Sequence, residues 1–316
     1  ESYLKEQAYS IQRIQNNLLV TIDGTMEGKK ILLNSHMDTV APTSGWKLDP
    51  FHPIQKEGKI TALGSNDAGA SVISLLATFE ALVASNSASE VALLISAEEE
   101  ISGANGMESL LPSLENISLA IVGEPTGMQP AVAERGLIVI DGVAYGKSGH
   151  AARNEGVNAI YMVMEDIAQI RKLQFPEKSE WLPEPAVNVT MINAGTNHNV
   201  VPDNCSFVID ARSNDLYSNE RLLEMINSCC SSSIQPRSLR LNSSSLHSDH
   251  PGFDLLKKMK LKPFGSSTMS DMALLPFPAI KMGPGDSARS HTADEYIFIT
   301  EIEDAITIYT DLVEGL

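Results

Sequence analysis

The stretch Ile31-Leu32-Leu33-Asn34-Ser35-His36-Met37-Asp38 is an apolar run that ends in an imidazole and a carboxylate two positions apart. Residues two apart on a strand point to the same side, so a strand here delivers both groups together at its C-terminal end. A neutral His is a good zinc ligand, and a ligand His commonly gives its other ring N–H to an acceptor such as a carboxylate. His36 as ligand and Asp38 as its orienting partner fit the stretch; so does a half-buried His beside a capping Asp. Four more segments place acid or imidazole next to apolar runs: Asp67 in Gly64-Ser65-Asn66-Asp67-Ala68-Gly69, the acids of Ala97-Glu98-Glu99-Glu100, Glu124 in Val122-Gly123-Glu124-Pro125-Thr126, and His291 in Arg289-Ser290-His291-Thr292-Ala293-Asp294-Glu295. Asp67 taken alone also reads as a helix N-cap. Three successive acids at the end of a core strand repel one another unless a cation sits among them. Two His and three or four carboxylates, all at strand ends, make the ligand set of a two-metal hydrolase.

The elements that must position these groups follow from pattern. Residues 1–17 read as helical, and Leu18–Ile22 as a strand turning at Asp23-Gly24. Val91–Ser96 and Leu119–Val122 are continuous apolar runs, as in buried parallel strands. Ser71–Ser85 has helical spacing, Met107–Leu114 reads as a short helix, Ala279–Met282 as a strand, and Thr300–Leu312 as the closing helix. This alternation predicts an α/β fold, a mostly parallel sheet with helices on both faces. Between these parts the order changes to strand (Leu137–Tyr145), helix (Asn158–Leu173), two strands (Ala186–Ile192 and Cys205–Ala211), helix (Asn219–Cys229) and strand (Ser238–Leu241). That order suggests an inserted ferredoxin-like α+β unit. The predicted division is therefore 1–134 with 243–316 as one domain and 135–242 as a lid.

A formal net charge of −17 argues against nucleic acid and anionic membrane as partners. The longest apolar runs fall short of a membrane span and no signal peptide is visible. The three cysteines, Cys205 and the adjacent Cys229 and Cys230, imply no disulfide framework, and a reducing cytoplasm is the expected compartment. The chain opens on Glu1 without an initiator Met, and the expectation is that an N-terminal helical piece precedes it.

The strings His36-Met37-Asp38-Thr39-Val40, Gly64-Ser65-Asn66-Asp67, Glu98-Glu99-Glu100, Gly123-Glu124-Pro125-Thr126 and Ser290-His291 resemble the metallopeptidase family that holds acetylornithine deacetylase, succinyl-diaminopimelate desuccinylase, aminoacylase-1 and carboxypeptidase G2. They stand in that family's order and approximate spacing. Trp46 with Asp49-Pro50-Phe51, Gly149-His150-Ala151-Ala152 and Asn199-Val200-Val201-Pro202 match as well. The likeness covers nearly the whole chain, and within the family it is closest to the N-acetyl- and N-succinylornithine deacetylases of Bacteroidetes.

The resemblance implies a di-zinc exopeptidase-like fold and roles for single residues. His36 would bind one zinc and His291 the other, with Asp67 bridging both. Glu100 and Glu124 would each complete one shell, and Glu99 would be the general base. Asp38 would orient His36, and Glu98 would have no catalytic role. Two Zn2+ per subunit, with Co2+ as a substitute, would be the cofactors. The implied reaction removes an acetyl or succinyl group from an N-acyl amino acid, foremost N-acylornithine in arginine biosynthesis. The implied partner is a small molecule, together with a homodimer formed through the lid. The chain departs from the family at one point. Several relatives carry a lid His just before the Ala-Gly turn; here Asn193 stands there and His198 comes five residues later. Asn193 or His198, beside Asn199, is then the expected lid donor to substrate. An exopeptidase or dipeptidase using the same metals is the alternative, and a non-catalytic relative that keeps the fold and binds a ligand or partner is the second alternative.

Overall fold

The computed structural model describes residues 1–22, 24, 30–87, 89–153 and 155–316; the turn expected at Asp23-Gly24 begins outside them. The chain separates into two compact units, Glu1–Val132 with Ser245–Gly265 and Ser270–Leu316, and Ala133–Ser244 with Ser266–Met269.

The first unit is organised on a nine-stranded sheet whose spatial order begins Ile11–Ile14, Asn17–Ile22, Glu90–Ser96, Lys30–His36, Ile117–Val122 and Ala279–Lys281. Lys30–His36 lies at its centre, parallel to both neighbours, and Ala279–Lys281 runs parallel to Ile117–Val122. Lys30–His36 and Glu90–Ser96 are buried at every residue after the first. Their apolar runs, Ile31–Leu33 and Val91–Ile95, are continuous because both faces of the sheet are covered. On one face Leu32, Ala92, Leu94, Ala120 and Val122 pack with Met107, Leu110, Leu114 and Met272. Helices Ala70–Ala84 and Ile299–Gly315 pack together, burying Leu75, Phe79 and Leu82 from the first and Ala305, Tyr309 and Leu312 from the second. Each such leucine or phenylalanine contributes about 1.5–3 kcal/mol by leaving water. Ser65–Ala84 is long and apolar enough to cross a membrane by length and composition, contrary to the reading that no run qualifies. Its buried core-facing residues account for that apolarity.

The helix expected over residues 1–17 is confined to Ser2–Glu6. Ile11–Ile14 folds back as a strand on Asn17–Ile22, from Ile11 opposite Val20 to Ile14 opposite Asn17, through Gln15 at φ 55. Pairing with the open edge of a buried strand outweighs weak helix propensity here. A small sheet of Tyr296–Phe298, Lys59–Thr61 and Ile54–Lys56 joins the chain before Asp67 to the chain after His291.

The second unit is an antiparallel sheet in the order Ala186–Ala194, Asn204–Arg212, Ile138–Tyr145, Ser233–Pro236, with helices Ala159–Ile170 and Asn219–Cys229. This is the ferredoxin-like arrangement the element order suggests. Along Ile138–Tyr145 burial alternates, with Ile138, Ile140 and Ala144 in a core shared with Val163, Phe207, Leu222 and Ile226. Asn158 and Ser218 cap the two helices with their side chains, as the residue types allow. The last strand is Ser233–Pro236 rather than the expected Ser238–Leu241. The carbonyls of Leu239 and Leu241 instead accept the Nδ2 of Asn219, at 3.1 and 2.8 Å. A fully buried amide must be satisfied, and that demand takes 239–241 out of the sheet. The three cysteines are free.

Candidate metal centre

The candidate ligands of the first unit collect at the C-terminal ends of adjacent parallel strands, where ligands of α/β sheets gather. His36 is the last residue of its strand and pairs in register with Ser96, the last of Glu90–Ser96. Glu99 and Glu100 follow that strand, and Glu124 follows Ile117–Val122 across Gly123. A Cβ on Gly123 would lie 2.8 Å from Ser71 Cβ and 3.1 Å from Ser35 Cβ, so only glycine lets the chain turn Glu124 inward beside the helix. Asp67 comes from the Ser65–Gly69 turn that opens helix Ala70–Ala84. His291 comes from the loop before Tyr296–Phe298 and has a φ of 58, a left-handed backbone that is uncommon for His and frequent at functional positions.

His36, 1% exposed, has Nε2 3.2 Å from Asp67 Oδ1 and 3.5 Å from Glu124 Oε1. His291 Nε2 stands 3.1 Å from Glu100 Oε2 and 3.6 Å from Asp67 Oδ2. The two oxygens of one carboxylate thus face two imidazoles, each with its own glutamate. Donor atoms of His36, Asp67 and Glu100 lie within 4.8 Å of one another, as do those of His36, Glu99 and Glu124. At the far side of the His36 ring, Nδ1 is 3.0 Å from the backbone carbonyl of Asp38 and 3.5 Å from its carboxylate. The carbonyl is the nearer partner. The Asp38 carboxylate also accepts the backbone N–H of Glu99 and of Glu100, at 3.3 and 3.2 Å. Asp38 therefore joins the His36 strand end to the Glu99-Glu100 turn, a link the two-residue spacing alone does not reveal. Glu98, at φ 62, turns away and accepts the backbone N–H and the Nδ2 of Asn105.

Electrostatics test whether cations fit. Burial, the Glu124 carboxylate and lesser charges push the Glu99 carboxyl up to about 10. Burial, with Asp67 and Asp271, pushes Glu124 up to about 8, against His36 and Lys281. Glu100 is raised by burial and by Asp67. Burial alone would lower the His36 imidazole, but Glu124, Asp38, Asp67 and Glu99 outweigh it and raise it. The cluster has more negative charge than its imidazoles balance, and a pair of divalent cations relieves that excess. An O/N donor set of carboxylates with imidazoles suits zinc and its neighbours in the first transition row.

Some contributors carried no signal in the sequence. Asp271, 5% exposed, accepts the Ser96 hydroxyl at 2.7 Å, and Ser96 Oγ in turn accepts Asn34 Nδ2 at 3.0 Å. Its charge raises both Glu99 and Glu124. In sequence Asp271 reads as one more polar residue after Ser270, which caps a short turn. Asn66 and Glu295, both nearly inaccessible, also escape pattern reasoning.

In the second unit Asn193 is exposed near the end of strand Ala186–Ala194 and lines a recess of about 310 Å3 with Ser148, Thr196, Pro202 and Asp203. His198 and Asn199 are exposed in the turn that follows; the Asn199 carbonyl accepts Ala151 N–H. The other histidines have local roles. His150 Nδ1 accepts Ala152 N–H and His250 caps helix Pro251–Lys258, while His52 and His247 pair with Asp49 and Asp249 at the surface.

The model of peptidase family M20/M25/M40 matches residues 32–315. The acetylornithine deacetylase of Proteus mirabilis is 28% identical over 319 aligned residues, covering 95% of this chain and 82% of the relative. That of Shigella sonnei is 28% identical over 301, covering 89% and 78%. Among solved structures, aminopeptidase PepT of Bacillus cereus superposes with a TM-score of 0.79 at 19% identity, over 99% of this chain and 90% of that one. The Bacillus subtilis YxeP protein, a dinuclear metal-binding peptidase, superposes with a TM-score of 0.72 at 14% identity, over 99% and 89%.

Proposed function

The chain belongs to peptidase family M20/M25/M40 and is a metal-dependent hydrolase, and on that premise we propose that it removes an acyl group, acetyl or succinyl, from the amino group of an amino acid such as ornithine. The observation that carries the two-metal reading is the Asp67 carboxylate, with one oxygen 3.2 Å from His36 and the other 3.6 Å from His291. One zinc would be held by His36, Glu124 and the first of these oxygens, the other by His291, Glu100 and the second. A zinc pair supplies an acidified water and polarises the amide oxygen. Glu99 accepts the proton of the attacking water and returns it to the departing amine, which a carboxylate within hydrogen-bond reach can do. Asp38 keeps Glu99 and Glu100 in place through their backbone amides. The substrate class is supported by relatives named acetylornithine deacetylase; a place in arginine biosynthesis and in the cytoplasm is part of this proposal. Homodimerisation through the second unit belongs to the same reading.

A second reading, cleavage of a peptide by the same residues, is supported by the peptidases among the structural neighbours. Water activation is identical in both, and only the substrate's far end differs. Turnover of N-acetylornithine, N-succinylornithine and a dipeptide panel with added zinc separates them. Release of ornithine from either acylornithine at rates well above peptide cleavage is the expected result. Peptide cleavage with neither acylornithine consumed would overturn the proposal.

A further inference from the structure

We propose that Glu295 is a positioning residue that fixes Asp67 between the two metal positions and locks it to the loop that carries His291; this rests on the two-metal reading above. Glu295 is 3% exposed, and its carboxylate is held by backbone N–H groups. One oxygen accepts the backbone N–H groups of Asn66 and Asp67, both at 2.8 Å, and the other accepts that of Gly64 at 3.0 Å. The Glu295 carbonyl takes Ala62 N–H at 3.1 Å and the Ser65 hydroxyl at 3.4 Å. Successive residues of the turn that presents Asp67 are therefore gripped by one residue, four positions after His291.

Asn66 completes the brace from the other side. It is wholly buried, donates Nδ2 to Asp286 O at 3.1 Å and to Ser290 Oγ at 3.2 Å, and accepts Asp286 N–H at 3.1 Å. A Cβ on Gly285 would lie 2.2 Å from its Oδ1, so the packing admits nothing larger there. Asp67 is the bridge and His291 lies against one of its oxygens; their loops are tied by buried hydrogen bonds, and neither can shift without the other.

The choice of a carboxylate is informative. A glutamine could offer one acceptor oxygen to Asn66 and Asp67, but its NH2 would confront Gly64 N–H, donor against donor. A buried anion beside the Asp67 carboxylate is costly in a metal-free fold, and two dications close by offset that cost. Partners behind the ligands commonly set metal affinity by about 10–100-fold.

The test uses metal-stripped protein and Zn2+ alone, in competition with a chelating dye, on wild type, Glu295→Ala, Glu295→Gln and Asn66→Ala. It also records the melting temperature of the metal-free proteins and amide hydrogen exchange at Asn66 and Asp67. Glu295→Ala is expected to bind Zn2+ about 10–100-fold more weakly and to lose amide protection at Asp67. Glu295→Gln, which keeps the shared acceptor, should fall between Ala and wild type. Should Glu295→Ala fail to fold, Glu295→Gln and Asn66→Ala carry the measurement. Wild-type Zn2+ affinity in the variants overturns the proposal, including the case where only the melting temperature falls, since that is a purely structural role. A wild-type protein that binds no zinc pair overturns the two-metal reading and this one with it; a wild type that binds two, beside variants that bind two equally well, overturns this one alone.

Discussion

Replacing Glu99 by Gln separates a base from a ligand. Glu99 is a donor neighbour of His36 and Glu124 within 4.8 Å, so geometry alone admits both roles. The amide is isosteric and keeps the packing, but it cannot accept the proton of an attacking water. A general base contributes about 100- to 10,000-fold, which is about 2.7–5.5 kcal/mol of barrier. Turnover of the zinc-loaded variant should fall by that factor with KM little changed and both metal equivalents retained. A second consequence has the opposite sign. Burial and Glu124 push the Glu99 carboxyl up to about 10, so its charged form is disfavoured in the metal-free fold. Glutamine is neutral in both states and avoids the cost of neutralising this carboxyl on folding, so near neutral pH the metal-free variant should melt no lower than metal-free wild type. Steady-state kinetics, zinc analysis and thermal melts on one preparation read all of this. Wild-type turnover would refute the base assignment, and loss of one metal equivalent would make Glu99 a ligand instead.

His36→Ala and His291→Ala should each lose about one zinc equivalent by elemental analysis, since each imidazole serves a different side of Asp67; full content in both would refute the ligand assignment. In the second unit, Asp166 is 3% exposed and accepts the backbone N–H and hydroxyl groups of Ser231 and Ser232. Burial would raise its carboxyl, but these hydrogen bonds hold it below the ordinary carboxylate range. It therefore contributes stability above the unfolded value near ~3.9 that is lost as pH falls through the lowered folded value. Asp166→Ala should cost about 1–3 kcal/mol at pH 7 in urea unfolding, and the gap to wild type should narrow in acid; a gap independent of pH would refute the account. His198→Ala or Asn193→Ala should depress turnover more than it raises KM, by about 100-fold if the side chain stabilises an oxyanion; unchanged turnover in both would confine the Asn193–Asn199 segment to a structural role.

Legibility differed between strand and loop. The parallel strands could be read because a strand buried on both faces is mostly apolar, as in Ile31–Leu33 and Val91–Ile95. The second unit's helices could be read because period and caps agree, as with Asn158 and Ser218. The N-terminal strand Ile11–Ile14 and the last strand of the second unit could not. The first depends on an open edge supplied by distant chain, and the second on what Asn219 claims from Leu239 and Leu241.

The sequence by itself determined which chemistry is available. His36, Asp38, Glu99, Glu100 and Glu124 stand beside ends of parallel strands, which converge on one side of the sheet whatever the loops do, while Asp67 and His291 come from a turn and a loop. Only the tertiary structure decided how the ligands are shared and held. It set the two Asp67 oxygens toward different imidazoles, turned Glu98 away onto Asn105, gave Asp38 the amides of Glu99 and Glu100, and placed Glu295 and Asn66 beneath the bridge. These outcomes depend on hydrogen bonds between residues up to 229 apart in the chain. Periodicity describes which face of an element is buried, and it has no term for which distant backbone amide a buried carboxylate must satisfy.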